Sequence, residues 1–345
     1  MPVVAVASRT AERAGERATQ LQSVAATYAE LPAGADIVVV STPPQLHAAD
    51  TLHLLAAGAA VVLEKPLCTT LADADTLVAA AATHGQRVLY AENLAYAPAL
   101  TTMLHMAADI GPIDHLQIRT LQALPTWGEF TSDDWGGGAL FDLGVHPLAI
   151  AVLAAAAAGA GPVTSVSCTL RGGEGHNSDE HAEVALTFRN GLVGHVISSW
   201  NHGPGQTWDA ELSGPTGVLR IDFWPQPTLE YNGEPVTLPA PLTAPLPAPL
   251  PAPLTEPLPA PLTAPPPQSA SPLAFIQQLG YVGQLCAFAA DIAAGTTPFM
   301  DVAFGRLILD IVCAAYQSAG HDGTPEPVPF VGDRTKTPLQ LWHGT

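Results

Sequence analysis

Basic residues are scarce in this chain of 345 residues. Twelve Lys and Arg stand against 31 Asp and Glu, which gives a formal net charge of -19 at pH 7. A protein of that charge repels the phosphate backbone of nucleic acids and the anionic headgroups of membranes. We therefore expect a small-molecule ligand, with neither nucleic acid nor a membrane surface as partner.

Cysteine is also rare, and long hydrophobic runs are few. The four cysteines form no C-x-x-C pair, so the sequence predicts neither a metal site nor a disulfide framework. The opening residues lack a basic segment followed by an apolar core, and the alanine-rich run 149–160 is too short to span a bilayer. We expect a cytoplasmic protein in which that run is a buried helix. The cysteines are Cys68, Cys168, Cys286 and Cys313.

Short valine-rich runs alternate with helical segments over the first 95 residues. Apolar runs at 2–7, 37–41, 60–64 and 87–93 have the length of buried strands, and the stretches between them favour helix. Strands that alternate with helices at this spacing predict a doubly wound parallel sheet. Residues 1–95 are therefore predicted to form a Rossmann-type α/β domain.

The pattern changes after about residue 100. Alternating apolar and polar residues at 181–188, 192–200 and 217–223 predict an antiparallel sheet, whereas 273–296 and 302–319 return to helical periodicity. Residues 96–345 are therefore predicted to form an α+β domain with a mainly antiparallel sheet.

A tandem proline-rich tract, residues 239–272, interrupts the second domain. Proline at that frequency excludes a regular helix or a sheet ladder and favours polyproline II geometry in a surface loop. The tract is either a repeat expansion, which we favour because long surface insertions cost little closure entropy, or a docking segment for a proline-recognising partner.

Three side chains with proton chemistry stand out. Asp142 and His146 lie in GGGALFDLGVH (136–146), and on one helix this spacing places both on the same face, pointing at the same ligand. Lys65, in the tripeptide EKP, can supply a third proton-handling group.

The chain resembles the Gfo/Idh/MocA family of nicotinamide-dependent oxidoreductases. The resemblance rests on residues 38–67, which end in EKPL, on 136–150 and on 305–319, and it covers nearly everything except the proline-rich tract. It implies that Lys65, Asp142 and His146 surround the substrate carbon and the nicotinamide ring. It also implies that the second domain binds substrate and that its open sheet face forms a homo-oligomer.

The implied chemistry is hydride transfer between NAD(P) and a hydroxyl carbon of a sugar, inositol or related polyol. Hydride leaves a carbinol carbon as the hydroxyl proton is removed, and the imidazole of His146 is suited to take that proton. Lys65, with a pKa lowered by desolvation or by the nicotinamide charge, would share this work. Asp142 would orient the substrate hydroxyl and steady the imidazolium.

The resemblance also places cofactor contacts at the ends of the strands. One group lies in the turn and helix start after the 37–41 strand and across from it in the EKP segment, beside the nicotinamide ribose and the phosphates. These residues are Ser41, Thr42, Pro43, His47, Glu64 and Lys65.

Three further cofactor candidates stand at other strand ends. Asn93 closes the 87–93 run, near both cofactor and substrate. Ser8 and Arg9 follow the first run, where a hydroxyl and a cation suit a 2'-phosphate. We therefore expect NADP or NAD as cofactor and favour NADP.

One family feature is missing from the sequence. The family begins with a strand that runs into G-x-G-x-x-G, whose glycines allow the backbone to approach the pyrophosphate. We expect either a misassigned or engineered start, with one βα unit absent, or a short chain that has lost dinucleotide binding, and we favour the first. On either account residues 1–95 are an incomplete Rossmann domain, truncated at its N-terminus.

Two other functions stay open at this level. A catalytically silent family member would act as a ligand-binding or partner protein and would bind no cofactor. An NAD-dependent glycoside hydrolase would cleave a glycosidic bond without net cofactor reduction.

Overall fold

The computed structural model describes residues 2–31, 35–126, 128–203, 205–240 and 272–345. The proline-rich tract therefore lies almost entirely outside the described residues, and both interpretations of it stay predictions.

Five short parallel strands and three helices make up the first part of the chain. The strands are β1 Ala5–Ala7, β2 Val24–Ala26, β3 Ile37–Val40, β4 Ala60–Leu63 and β5 Val88–Tyr90, and the helices are α1 Ala11–Gln20, α2 Pro44–Ala56 and α3 Leu71–Thr83. β1 pairs with β2, while β3, β4 and β5 form a three-stranded sheet in that order.

The predicted parallel α/β fold is confirmed, but its strands form two sheets where one was expected. β4 lies between β3 and β5 and is buried throughout, as its unbroken apolar run requires. Val39 of β3 is 55% exposed. Among the described residues no pairing joins β1 or β2 to the three-stranded sheet, so β3 is an edge strand there.

A nine-stranded sheet forms the second part. Its strands are β6 His115–Leu121, β7 Val163–Gly172, β8 Asp179–Phe188, β9 Val193–Ser199, β10 Thr207–Gly214, β11 Gly217–Asp222, β12 Thr228–Tyr231, β13 Glu234–Pro235 and β14 Glu326–Pro327. Their order is β13-β12-β11-β10-β6-β9-β8-β7-β14, and every pair except β6 with β9 is antiparallel. The predicted, mainly antiparallel α+β domain is thus confirmed.

α-Helices accompany this sheet in the second part. They are α4 Pro98–Met106, α5 Ala139–Asp142, α6 Val145–Ala157, α7 Pro272–Gln278, α8 Tyr281–Ala294, α9 Val302–Gly320 and α10 Pro338–His343. α6, which contains most of the alanine-rich run, packs on β6 and β9, and α9 packs on β7. The predicted helical stretch 273–296 is two helices, because Gly280 adopts a positive φ of 85° between α7 and α8.

α9 also joins the two parts of the fold. The carboxylate of its N-cap, Asp301, accepts a hydrogen bond from the backbone N–H of Phe304, and Asp301 bridges to Leu89 of β5. By length and composition α9 is apolar enough to cross a membrane, yet 67% of it is buried inside the protein. It therefore serves as a core helix.

A buried polar network holds the start of α5. The hydroxyl of Tyr316, in α9, donates to the carboxylate of Asp179 and accepts the backbone N–H of Gly138 at 2.9 Å. Asp179 also accepts the N–H of Leu140 at 2.9 Å. Burial raises the pKa of Asp179, although these hydrogen bonds lower it. A Cβ at Gly138 would lie 2.2 Å from the Asp179 carbonyl oxygen, so this approach requires glycine.

We expect Tyr316→Phe to lower the free energy of unfolding by about 1–3 kcal/mol, because it leaves buried polar groups of Asp179 and Gly138 without a partner. Tyr231→Phe is the matched control, since its hydroxyl bonds the Thr216 carbonyl at an exposed site, and we expect a change of no more than about 0.5 kcal/mol. Urea denaturation followed by circular dichroism measures both. Equal losses would show that the buried network does not stabilise the fold.

Candidate active site

Polar side chains collect where three neighbouring strands end. Thr42 follows β3, Glu64 and Lys65 follow β4, and Glu92 follows β5. The three strands are parallel and paired up to their last residues, so their carboxyl ends share one edge. Open α/β sheets bind ligands at such an edge.

Lys65 forms an ion pair with Asp142 from the second part of the fold. Its Nζ lies 2.8 Å from Asp142 Oδ1 and 3.0 Å from the Asp142 carbonyl oxygen. The two side chains are only 21% and 12% exposed. Burial lowers the pKa of Lys65, but Asp142, with Glu64 and Glu92, outweighs burial and the net pKa is raised. The prediction that desolvation lowers the pKa of Lys65 is therefore wrong, because its carboxylate neighbours raise that pKa and favour the charged ammonium. A lowering by the nicotinamide charge stays a prediction.

His146 forms a second buried pair, with Glu92. Its Nδ1 lies 2.9 Å from both carboxylate oxygens, and the side chains of His146 and Glu92 are 8% and 1% exposed. This network assigns a proton to Nδ1, which donates to Glu92. In the neutral imidazole, Nε2 then carries the lone pair, and it has no hydrogen-bond partner within the described chain. His146 is therefore arranged to accept a proton at Nε2.

Asp142 and His146 lie on two helices, not on one shared face, so the predicted arrangement is wrong. Asp142 is the last residue of α5 and His146 is the second residue of α6. The helix breaks because the N–H of Gly144 bonds the carbonyl of Ala139, five residues back, instead of that of Leu140. The axes on either side differ by 47°, and the two side chains reach different partners.

Glu92 is a site residue that the sequence analysis does not select. The sequence points instead to its neighbour Asn93, whose side-chain amide donates to the Leu279 carbonyl at 2.7 Å. The available signal was position, since Glu92 follows a buried strand as Lys65 does. Glu92, and not Asp142, is the carboxylate hydrogen-bonded to His146. Cofactor contact by Asn93 stays a prediction.

Glu64 lies beside these pairs. Its carboxylate accepts the backbone N–H of Lys65 at 3.3 Å. Burial raises the pKa of Glu64 even though the Lys65 and His146 charges lower it. The site thus combines three carboxylates with one ammonium and one imidazole.

The turn after β3 is braced by side-chain bonds. Thr42 Oγ1 donates to Asp50 at 2.7 Å. The two ring nitrogens of His47 lie 2.7 Å from the Thr42 carbonyl and 2.8 Å from the Pro66 carbonyl. His47 is 1% exposed, so it ties the turn to the EKP segment, and direct cofactor contact stays a prediction that would require it to leave these bonds.

The remaining cofactor candidates take no part in the Lys65–Asp142 and Glu92–His146 pairs. Ser41 is exposed and Pro43 is the N-cap of α2. Ser8 is half-buried and Arg9 is exposed, both directly after β1. Within the described ranges, Ser8 and Arg9 make no hydrogen bond to Lys65 or His146. Their roles stay predictions.

A Rossmann-type region whose strand ends meet ionisable groups from a sheet-based second domain is the architecture of a two-domain, nicotinamide-dependent oxidoreductase. Residues 2–92 match the profile of an oxidoreductase family with an NAD-binding Rossmann fold, and residues 104–220 match the GFO/IDH/MocA C-terminal domain. The chain belongs to the Gfo/Idh/MocA oxidoreductase family.

Curated relatives are dehydrogenases and reductases by name. The chain is 28% identical over 255 residues to trans-1,2-dihydrobenzene-1,2-diol dehydrogenase of Mus musculus, which covers 70% of this chain and 72% of that protein. It is 36% identical over 151 residues to a putative UDP-kanosamine synthase oxidoreductase subunit of Amycolatopsis mediterranei (strain S699). That second match covers 42% of each chain, so it spans less than half of the relative.

Solved structures share the fold over nearly the whole chain. GenD2 from gentamicin A biosynthesis, in complex with NAD, superposes with a TM-score of 0.77 at 22% identity, covering 94% of this chain and 88% of that one. Levoglucosan dehydrogenase, in complex with NADH and levoglucosan, gives 0.74 at 19% identity, covering 94% and 90%. At these identities the likeness shows the fold alone.

The raised pKa of Lys65 predicts a pH dependence of stability. A group whose folded pKa is raised stabilises the protein fully below its unfolded pKa, about 10.4 for lysine, and this contribution disappears as pH rises through the folded value. We expect the wild type to lose more unfolding free energy than Lys65→Met between about pH 9 and about pH 12. Denaturant titrations across this range measure the difference.

Lys336→Met is the control for that experiment, because Lys336 is the only other lysine in the sequence, stands next to the N-cap of α10 and takes no part in the Lys65–Asp142 pair. Its loss should leave the alkaline stability profile parallel to the wild type. Parallel profiles for both variants would contradict the stabilising Lys65–Asp142 pair.

Proposed function

We propose that this protein is an NAD(P)-dependent oxidoreductase that transfers a hydride between the cofactor and a hydroxyl carbon of a sugar, inositol or related polyol. One observation carries the proposal. A histidine lies at the carboxyl edge of a Rossmann-type sheet, with Nδ1 held by a buried carboxylate and with no partner for Nε2 among the described residues, and a charged lysine lies at the same edge. The family's curated relatives support the same class of reaction.

The strand ends suit the nicotinamide end of a dinucleotide. The Thr42 turn leads into α2, whose first backbone N–H belongs to Gln45, because Pro43 and Pro44 have none. Glu64 and Lys65 face this edge from β4. When bound, the nicotinamide accepts or supplies the hydride. We assign no residue to the pyrophosphate, because the sequence contains no G-x-G-x-x-G.

In our proposal His146 handles the proton of the reacting hydroxyl. Nε2 takes that proton as the hydride leaves the carbon, and returns it in the reverse direction. The Nδ1–H continues to donate to Glu92, so the buried carboxylate compensates the imidazolium that forms. Glu92 also prevents the ring from turning its protonated nitrogen toward the substrate.

Lys65 contributes charge and not basicity in this scheme. Asp142 keeps its ammonium protonated and fixes its position. A fixed ammonium donates a hydrogen bond to the substrate oxygen and stabilises negative charge that develops there. Lys65 thus complements His146, which moves the proton.

We also retain three sequence predictions as parts of the proposal. Arg9 at the end of β1 favours NADP over NAD. A homo-oligomer forms through the outer face of the nine-stranded sheet, which presents charged pairs such as Arg119 with Asp209 and Arg220 with Glu211. The protein acts in the cytoplasm.

We expect His146→Asn to reduce kcat/KM by about 10²- to 10⁴-fold, the usual contribution of a general base. Glu92→Gln should reduce it by about 10- to 100-fold, because it weakens the orientation of His146. Steady-state reduction of NAD and NADP with a panel of hexoses and inositols measures both. His105→Asn is the control, since His105 is exposed and its Nδ1 bonds the Thr101 carbonyl one turn back on the same helix. Unchanged rates for His146→Asn would exclude this mechanism.

The cofactor preference is tested by binding. Fluorescence titration should show Arg9→Ala weakening NADPH binding by about 10- to 100-fold, the effect of one lost charge-assisted hydrogen bond, while NADH binding changes little. An equal change for both cofactors would remove the argument for NADP. Binding of neither by the folded wild type would favour a silent ligand-binding protein over the proposed enzyme.

A further inference from the structure

On the inner face of the nine-stranded sheet, polar and amphipathic side chains replace apolar ones close to His146. At one level, Ile118 of β6 pairs with Val196 of β9 and Ala210 of β10, and all three are fully buried and apolar. Such residues are what a face packed against helices requires.

Two residues further along, the same face carries different chemistry. Thr120 of β6 pairs with Ser198 of β9 and with Trp208 of β10. Thr120 and Ser198 are buried, and their hydroxyl oxygens lie 3.1 Å apart. The apolar core therefore ends at this level, where polar and amphipathic side chains replace it.

Trp208 lies beside the proposed base. Its ring centroid is 5.6 Å from that of His146, with the planes inclined by 41°. The indole is only partly buried, and it packs on a small cluster that contains Phe130, Leu143 and Trp200. An indole that is partly exposed next to the reacting imidazole is in position to contact the substrate.

The polar atom of Trp208 supports this assignment. Its Nε1 is covered and has no hydrogen-bond partner among the described residues, and the same holds for Nε1 of the neighbouring Trp200. Trp200 is only 3% exposed. Buried N–H groups without a partner are rare in proteins. Two of them lie in one cluster, whose Trp208 packs beside His146, and each requires an acceptor that the described residues do not supply.

We infer that Trp208 contacts the substrate and selects a cyclic polyol, such as a hexose or inositol ring. This inference rests on the proposed function. The face of an indole complements the C–H face of a pyranose or cyclohexane ring, and its N–H complements a hydroxyl at the rim. Pairing the covered N–H requires the indole to shift toward the ligand. An acyclic polyol offers no comparable flat C–H face.

Two variants distinguish what the aromatic ring of Trp208 contributes to substrate binding from what its N–H contributes. Trp208→Phe keeps an aromatic face and loses the donor, so KM for myo-inositol or glucose should rise about tenfold with kcat nearly unchanged. Trp208→Leu loses both, so KM should rise by about 100-fold and the preference over glycerol should disappear. NADH and NADPH binding should stay at wild-type values in both, which a general folding defect would not allow.

Trp224→Phe is the matched control, because Trp224 stacks edge-on against Phe275 at 5.6 Å instead of against His146. Its kinetic constants should equal those of the wild type. Oxidation of a cyclic polyol with the same KM in the wild type and Trp208→Leu would overturn this inference and leave the proposed function intact. If the wild type oxidises only acyclic polyols, this inference fails and the proposed function stands. If it binds a nicotinamide cofactor but neither oxidises nor binds any polyol, cyclic or acyclic, both proposals fail.

Discussion

Two buried pairs connect the strand ends of the first domain to the helices of the second, and together they define the site. One is an ion pair, and the other is a hydrogen-bonded carboxylate and imidazole. Lys65 meets Asp142, and Glu92 meets His146. A charge removed from water needs a partner, because breaking such a pair leaves an uncompensated buried charge. Each domain therefore supplies the partner for a buried polar group of the other. The position of His146 relative to the sheet edge follows from this mutual dependence.

The rest of the structure holds the α5–α6 segment in place for these pairs. Tyr316 and Asp179 fix the backbone at Gly138, and α9, which carries Tyr316, also packs on the first domain. The Gly144 break then turns α6 so that His146 faces Glu92 while Asp142 stays on Lys65. Core packing and the site thus share one set of contacts, which links the stability of this region to its chemistry.

Sequence patterns predicted the elements well, since period-two and helical periodicities record which face is buried. The antiparallel strands, α6 and α9 follow directly from them. They did not predict the division of the parallel strands into two sheets, because an apolar run does not specify its hydrogen-bonding neighbour. The break between α5 and α6 was also hidden. A glycine such as Gly144 can continue a helix or end one. Here its N–H bonds the Ala139 carbonyl, and this bond ends the helix.

The sequence by itself determined the family, the fold class and the residue types of the site. The segments EKP and GGGALFDLGVH are local, so their lysine, aspartate and histidine can be read from the order of residues alone. Only the tertiary structure decided which side chains meet. Glu92 and His146 are 54 residues apart and Lys65 and Asp142 are 77 apart, so no local pattern could pair them. The tertiary structure also decided the direction in which the pKa of Lys65 shifts, because that direction depends on the charged neighbours that folding brings to a buried group.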